Sequence, residues 1–545
     1  MESLNSTEHE CAEARSKWIL LAIMGVAAGV FLAGVRKDLP YSHEVDENIY
    51  VDNAVRMAAS GDLNPRWFGN PGSTVIYPLV VLFHSWHAIE YGGNFLRPDK
   101  DVISAFTSDQ SQFYLLGRLL TAFYALLAVL MTYCVGKRLF GERVGLLGAW
   151  FSILSPLVAY YAQVVRTDHA GSFFGMLSLW LILRLCDQPS AKNQLLTGLS
   201  IGCSVATRYF MVTLVPILIA ADILIVRQRR RNPDGTSCSW RAIALGLAAA
   251  PLGFVVCTPF FVLNLPTVLR SITLEARPGH AGADGLSPAG NLAWYLTQAI
   301  PANISLPLAI LAAIGALLVV IRRRPDQLLI LGFLALFVLS TSLSCLHWNR
   351  WMIQILPILF LFAAQALSAA VSRLASLFRL QPKKQRLLLC LLIALASALP
   401  LHDLLLYEIS DTATGTRILA REWIIRNLPP GTKVAFDASS VPLGGTDLLV
   451  FGPTLLPARG SLTEYYNAGY RYLAVSSTVY DRFFAEPGRY QKEVAFYKTL
   501  FEKGHLVKEL EPSPLRGGPT IRIYRLGEPE PTEQQIQQNN KEVLR

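Results

Sequence analysis

The sequence predicts an α-helical polytopic membrane protein with about eleven transmembrane helices and a small α/β domain after them. Three observations predict this. Of 545 residues, 52% are hydrophobic and only 16% charged, against about 25% charged in soluble domains. The apolar residues fall in runs of 18 or more with almost no charge, long enough to cross a bilayer. Beyond residue 407 the pattern changes to short segments of mixed strand and helix periodicity.

The first 16 residues are polar and form an expected cytoplasmic N-terminus. No small-residue cleavage site follows the first apolar run, 17–35, so that span is expected to be retained rather than cleaved as a signal peptide. A long external loop, 36–113, follows. It holds an amphipathic helix near 48–60 and an apolar stretch at 75–91. His84 and His87 interrupt that stretch, which reads as lying on the membrane. Spans are expected at 114–135, 144–162 and then to about residue 186, the last two joined by the loop QVVRTDHAG.

Residues 195–226 are apolar for about one and a half spans, with Arg208 near the middle. One helix of that length would be too long. Two short helices meeting at Arg208 put the arginine at the membrane rim, where its charge costs less. Further spans are expected at 242–263, 292–321, 327–344, 351–372 and 387–406. The basic clusters 227–231, 322–324 and 383–386 then all fall on one side, as the positive-inside rule requires. This orients the protein with the N-terminus inside; the expected location is the cytoplasmic (inner) membrane, by the family resemblance given below. The net charge of +10 therefore reports topology and not a nucleic-acid partner.

The region 17–407 forms the membrane module. Residues 408–527 form an external α/β domain. There 416–428 reads as a helix stopped by Pro429 and Pro430, KVAFD and YLAVSS as buried strands, 490–503 as a helix and TIRIYRL as a closing strand. The Gln-rich tail 528–545 reads as disordered. None of the eight cysteines follows Cys390, so the C-terminal region has no disulfide framework, and no metal-type CxxC spacing occurs.

The chemistry concentrates on the external side. Asp46 and Glu47 start the 48–60 helix, whose apolar face is Val51, Ala54, Val55 and Ala58; Asp52 and Arg56 are spaced to pair, and Gly61 to cap. The helix is expected to lie flat on the bilayer. Acidic residues at a helix start commonly only cap it. The same face, however, also carries Arg166, Asp168, Arg208 and Arg350, with Arg118 about one turn inside a span. Arginines suit a phosphate and a carboxylate suits a general base. His43 adjoins the acidic pair, and Tyr50 and Arg56 follow it, as accessory candidates. Together these point to chemistry on a lipid-linked, phosphate-bearing substrate.

Several segments carry a family resemblance: HEVDENIYVDNA, GDLNPRWFGNPG, LLGRLLTAF, AQVVRTDHAGSFF, ATRYF, HWNRWMIQILPIL, and beyond them TRILAREWIIRNLPPGTKVAFD and GPTIRIYRL. With them the chain resembles the GT-C class of polyprenyl-phosphate-sugar glycosyltransferases, within it the protein O-mannosyltransferase and lipid A aminoarabinose transferase group. The resemblance implies a GT-C-like fold and inverting transfer of one sugar, mannose or another hexose or pentose. The donor would be a polyprenyl phosphate and the acceptor a hydroxyl of a glycolipid, polysaccharide or protein. It implies Asp46 as base, with Glu47 and Asp168 positioning acceptor or sugar. Arg208 would bind the lipid phosphate, with Arg118, Arg350 and Arg166 as further candidates. The second loop reads TDH where metal-dependent relatives carry Asp-x-Asp. No cofactor is then required, though a divalent metal stays open. The competing readings are a lipid-linked-sugar transporter and a non-catalytic membrane scaffold.

Overall fold

The computed structural model describes residues 2–92, 100–231 and 239–527. Chain contacts divide after Glu408 into two compact units. The tail expected to be disordered, 528–545, lies outside the described residues, as does much of the 227–231 basic cluster's side-chain detail.

The first unit is helical. Its elements are α1 (Glu2–Ala33), α2 (Glu47–Ser60), α3 (Ser73–Tyr91), α4 (Asp101–Ser108), α5 (Ser111–Phe140), α6 (Glu142–Ile153), α7 (Pro156–Ala162), α8 (Asp168–Asp187), α9 (Ala191–Thr207), α10 (Leu214–Arg231), α11 (Trp240–Cys257), α12 (Pro259–Leu263), α13 (Leu265–Glu275), α14 (Pro288–Trp294), α15 (Ile300–Ile304), α16 (Leu306–Arg322), α17 (Pro325–Ser342), α18 (Leu356–Leu377) and α19 (Pro382–Thr412). Among the described residues eight helices are long and apolar enough to cross a membrane, or ten if each of two bent pairs counts as one span. The expected count of eleven is reached only by adding α9, which has 17 residues.

The departures from expectation have local causes. The expected span 292–321 is bent by 120° between α15 and α16. Ser305 sits there at φ 69°, and Pro307 in the next turn has no N–H to continue a helix. The expected span 144–162 is bent by 71° just before Pro156. By contrast, 195–226 does break at Arg208, whose backbone is extended between α9 and a 3₁₀ turn, Tyr209–Thr213.

Helix α2 does not rest its apolar face on lipid. Val51, Ala54, Val55 and Ala58 are buried in protein, in one cluster with residues of α3 and α5. Gly61 closes the helix in the left-handed region, its N–H donated to the Met57 carbonyl, a conformation glycine adopts without a Cβ penalty. Arg56 donates to the Asn64 carbonyl at 2.5 Å and faces Asp62 at 3.7 Å, not the expected Asp52. The loop after Gly61 folds back and supplies acceptors on the arginine's side of the helix.

Helix α9 is held by backbone contact. A Cβ on Gly198 would lie 2.1 Å from the Gly246 carbonyl oxygen, and one on Gly202 would lie 2.3 Å from that of Ala250. This is small-residue packing of α9 on α11, which lets two apolar helices gain dispersion contact inside a membrane. It also fixes the end of α9, from which Arg208 projects.

The second unit contains α20 (Thr416–Asn427), β1 (Lys433–Asp437), β2 (Leu449–Thr454), α21 (Leu462–Asn467), β3 (Tyr472–Ser476), α22 (Ser477–Ala485), α23 (Gln491–Lys503), β4 (His505–Leu510) and β5 (Ile521–Arg525). The sheet order is β2-β1-β3-β5-β4. Strand β1 runs parallel to β2 and β3, and β5 antiparallel to β3 and β4. The three strands expected from sequence are the three central ones. The two not anticipated, β2 and β4, are the edges. At the end of β1, burial pushes the Asp437 carboxyl up to about 7, although the Tyr497 hydroxyl donates to both of its oxygens at 3.0 and 2.9 Å.

Candidate active site

Glu47 and Arg118 form a closed ion pair. Both side chains are fully buried. Arg118 Nε and Nη2 each donate to a different Glu47 oxygen at 2.9 Å. Arg118 Nη1 donates to the carbonyls of Val35 and Lys37, and Nη2 also reaches that of Tyr41. Glu47 further accepts the backbone N–H groups of His43, Glu44 and Val165. Burial works to raise the Glu47 carboxyl, but the Arg118 charge and these hydrogen bonds outweigh it and hold the pKa below the ordinary value. All five N–H of the guanidinium are committed to protein acceptors. The pair staples the chain after α1, the start of α2 and the loop before α8 onto α5.

Asp46 is one residue away and differently placed. It occupies the N-cap position of α2, yet its side chain makes no capping hydrogen bond. Its Oδ2 accepts instead from Arg166 Nη1 and lies 3.8 Å from Arg350 Nη2. The side chain is 35% exposed. Burial raises its pKa, but Arg166, then Arg350 and Arg208, outweigh this and lower it below the usual range. Asp46 is therefore ionised throughout the physiological range.

Arg166 is the hub. It is 1% exposed and gives Nη1 to Glu44 Oε2 at 3.1 Å as well as to Asp46, and Nε to Asp168 Oδ2 at 3.1 Å. Asp168, fully buried at the first turn of α8, takes Arg208 Nη2 on its other oxygen at 2.5 Å. Both Asp168 oxygens are thus spent on orienting arginines.

Within this cluster two arginines keep capacity among the described residues. Arg208 Nη1 reaches Asn70 Oδ1 only at 3.4 Å, and its buried Nε has no partner. Arg350 lies over the Trp348 ring, Cζ 4.2 Å from the centroid, and its buried Nε is also unpartnered. Gln354, 2% exposed, leaves both its amide oxygen and nitrogen without a partner among the described residues. Its Cγ and that of Arg208 each lie 3.3 Å from where a Gly171 Cβ would stand. Buried polar atoms left unsatisfied are costly, and their convergence here fits a site that takes an anionic, oxygen-rich ligand.

The structure thus gathers Asp46, Asp168, Arg166, Arg208 and Arg350 and sets Glu47 and Arg118 aside as a brace. His43 turns to Asp38, Nδ1 to Oδ2 at 2.8 Å, and packs on Tyr160. Tyr50 is buried edge-on to Trp67, and a Gly72 Cβ would meet its ring at 3.0 Å. Arg56 faces the Asp62 turn. Sequence reasoning missed Glu44, which shares Arg166 with Asp46 and whose pKa burial raises against the Arg166 charge. It also missed Gln354, although this polar residue interrupts the apolar run WMIQILPIL. Among the described residues no group of three His, Cys, Asp or Glu side chains is arranged for a metal ion.

Residues 109–254 match the family model of dolichyl-phosphate-mannose-protein mannosyltransferases. Over 271 residues the chain is 29% identical to the lipopolysaccharide core galacturonosyltransferase RgtA of Rhizobium johnstonii, covering 47% of this chain and 52% of that protein. The chain therefore spans about half the length of this curated relative. The structure is similar to ArnT from Cupriavidus metallidurans bound to undecaprenyl phosphate, with TM-score 0.53 and 15% identity over 94% of this chain and 100% of that one. It is also similar to the Archaeoglobus fulgidus oligosaccharyltransferase tethered to an acceptor peptide, with TM-score 0.51 and 13% identity over 90% and 72%. The fold is shared with these two structures, and the comparisons together point to the GT-C class of polyprenyl-phosphate-sugar glycosyltransferases.

Proposed function

We propose that this chain is an integral membrane glycosyltransferase. It moves one sugar from a polyprenyl phosphate to an acceptor hydroxyl on the extracytoplasmic face, by inverting displacement with Asp46 as base. The observation that carries this reading is Asp46 itself. It stands at a helix start without capping it, part-exposed, tied through Arg166 to arginines that still hold unpartnered N–H groups.

The chemistry follows from the charges. The donor is a phosphodiester carrying one negative charge. As the bond from the anomeric carbon to the phosphate oxygen breaks, the leaving polyprenyl phosphate gains a second. Arg208 and Arg350 meet that growing charge in this reading, which their unpartnered Nε groups support. The acceptor oxygen attacks from the opposite face and becomes acidic as its new bond forms. A carboxylate of low pKa is then a sufficient proton acceptor, and the proton goes to Asp46 Oδ. Glu44, raised in pKa beside it, is the less ionised of the two and tunes Arg166 rather than taking the proton. Asp168 positions Arg166 and Arg208.

Arginines occupy the charge-neutralising role that a divalent cation fills elsewhere, so turnover is expected to survive EDTA. The sugar is a hexose, pentose or hexuronic acid; the relative's name names galacturonic acid, and the matching family model mannose. The acceptor class is a cell-envelope glycolipid, by analogy with the lipopolysaccharide core that the same relative's name specifies. The test is to offer purified protein a panel of undecaprenyl-phosphate sugars with lipopolysaccharide or membrane extract and follow free undecaprenyl phosphate. Release that needs both donor and acceptor supports the reading. No release from any donor by folded, lipid-binding protein overturns it.

A further inference from the structure

A second polar feature lies at the other end of α5. Arg118 and Arg138 are twenty residues apart on this helix, about 30 Å along its axis, which is the thickness of a bilayer's hydrocarbon core. Next to Arg138, a cavity of about 700 Å³ opens between the end of α5, the α16–α17 connection and the last turns of α18. It is separate from the catalytic cluster and does not rest on the transferase reading.

Five cationic side chains line it: Lys137, Arg138, Arg322, Arg324 and Arg373. Lys137 pairs with Glu142 at 2.7 Å, Arg138 with Asp187 and Asp326, and Arg324 reaches Asp326 at 3.5 Å. Arg322 and Arg373 have no carboxylate partner among the described residues. Cations at helix ends on the basic side of a membrane protein need no ligand by themselves. The wall between them is less ordinary. Gln365 interrupts the apolar run of α18, is only 6% exposed and makes no hydrogen bond among the described residues. Gln327, 2% exposed, leaves its Oε1 buried and unpartnered. Both line the cavity. Gln327 Nε2 donates to the Leu139 carbonyl at 3.2 Å, so one buried amide oxygen is left with spare capacity, which is costly unless it faces a polar occupant; Gln365 adds an uncommitted amide to the same wall.

The rim indicates what that occupant is. Leu317 and Ile321 on α16, and Leu377 and Phe378 at the end of α18, are more than half exposed. Leu317 and Ile321 precede Arg322 within two turns of α16, and Leu377 and Phe378 follow Arg373 by about one turn at the end of α18, which suits acyl chains whose headgroup sits among the cations. We propose that this cavity binds the phosphate headgroup of an anionic phospholipid from the leaflet on the basic side. Arg322 and Arg373 supply the charge, and Gln327 and Gln365 contact the glycerol or its substituent.

The experiment uses full-length protein in neutral detergent, with dioleoyl phosphatidylglycerol, dioleoyl phosphatidylcholine or inorganic phosphate added. Bound lipid is counted by native mass spectrometry and the unfolding temperature is read in parallel. Wild type is expected to retain phosphatidylglycerol over phosphatidylcholine and to unfold at higher temperature with it. The Arg322→Gln/Arg373→Gln double variant is expected to bind it about tenfold or more weakly, with unchanged unfolding in phosphatidylcholine. The charge-keeping Arg322→Lys/Arg373→Lys pair is expected to retain most of the binding. Equal phosphatidylglycerol retention by wild type and the Gln pair would overturn the site. Stabilisation by inorganic phosphate as large as by phosphatidylglycerol would overturn its assignment to a lipid.

Discussion

Asp46 and Glu47 are neighbours in the chain with the same functional group, and their surroundings are opposite. Around Glu47 every donor and acceptor is matched: Arg118 gives all five N–H groups to protein, and Glu47 takes five hydrogen bonds. Around Asp46 the accounts stay open. Among the described residues, Arg208, Arg350 and Gln354 hold buried polar atoms without partners, and the carboxylate is part-exposed. A closed ionic network is a structural device, because its desolvation is already compensated. An open one is a site awaiting a ligand. Identity of residue type therefore says little, and completeness of pairing says much.

The comparison can be broken most sharply at Asp46. Replacing it with Asn should lower kcat by about 10²–10⁴-fold with little change in unfolding temperature, since no cap is lost. Stopped turnover assays and a thermal melt read both. At the brace the balance reverses. Arg118→Ala leaves Glu47 buried and unpaired and should destabilise the membrane unit by about 3–5 kcal/mol, read as a fall in unfolding temperature and in yield of folded protein.

A smaller effect is expected at Arg208. Arg208→Gln should weaken polyprenyl-phosphate binding by about 10–100-fold, the scale of a lost charge-assisted hydrogen bond. Asp168→Asn, which only orients that arginine, should weaken it less. Equal affinities in a lipid-binding titration would remove Arg208 from the phosphate site.

The smallest effect sharpens the assignment of the base. Asp46 titrates below the ordinary carboxylate range and Glu44 above it. Activity that needs ionised Asp46 is lost only as pH falls through that lowered value. Glu44 becomes protonated earlier on the way down, and this loosens its hold on Arg166. Glu44→Gln should therefore remove a shallow inflection in kcat/KM above the ordinary carboxylate value, while leaving the acid limb below it and plateau activity within a few fold.

The features set by local composition were legible in the sequence. Apolar run length placed most of the spans, and Arg208 within an overlong run marked the break between α9 and α10. The central strands of the sheet showed as short apolar runs. Its edges did not, because β2 contains Gly452 and Pro453 and is largely exposed, and edge strands carry little burial signal. The bend at Ser305 was hidden inside a largely apolar run, where Pro301 and Pro307 flank it without fixing where the chain turns. The candidate residues came together, but their division of labour was not legible. Nothing local distinguishes Asp46 from Glu47. The distinction is made by Arg118, 71 residues from Glu47, and Arg166, 120 residues from Asp46. Glu44 and Gln354 escaped for the same reason, since their meaning depends on which arginine the fold brings beside them.

The account rests most directly on the contrast between the two adjacent carboxylates. The decisive measurement takes Asp46→Asn and Glu47→Gln side by side, purified in one lipid environment, and records polyprenyl-phosphate release and unfolding temperature for each. The account predicts that Asp46→Asn keeps wild-type stability, still binds donor and releases no product, while Glu47→Gln loses stability first and activity only in proportion to the folded fraction. Full turnover by Asp46→Asn, or a stable and folded Glu47→Gln that has lost the chemistry, would contradict it.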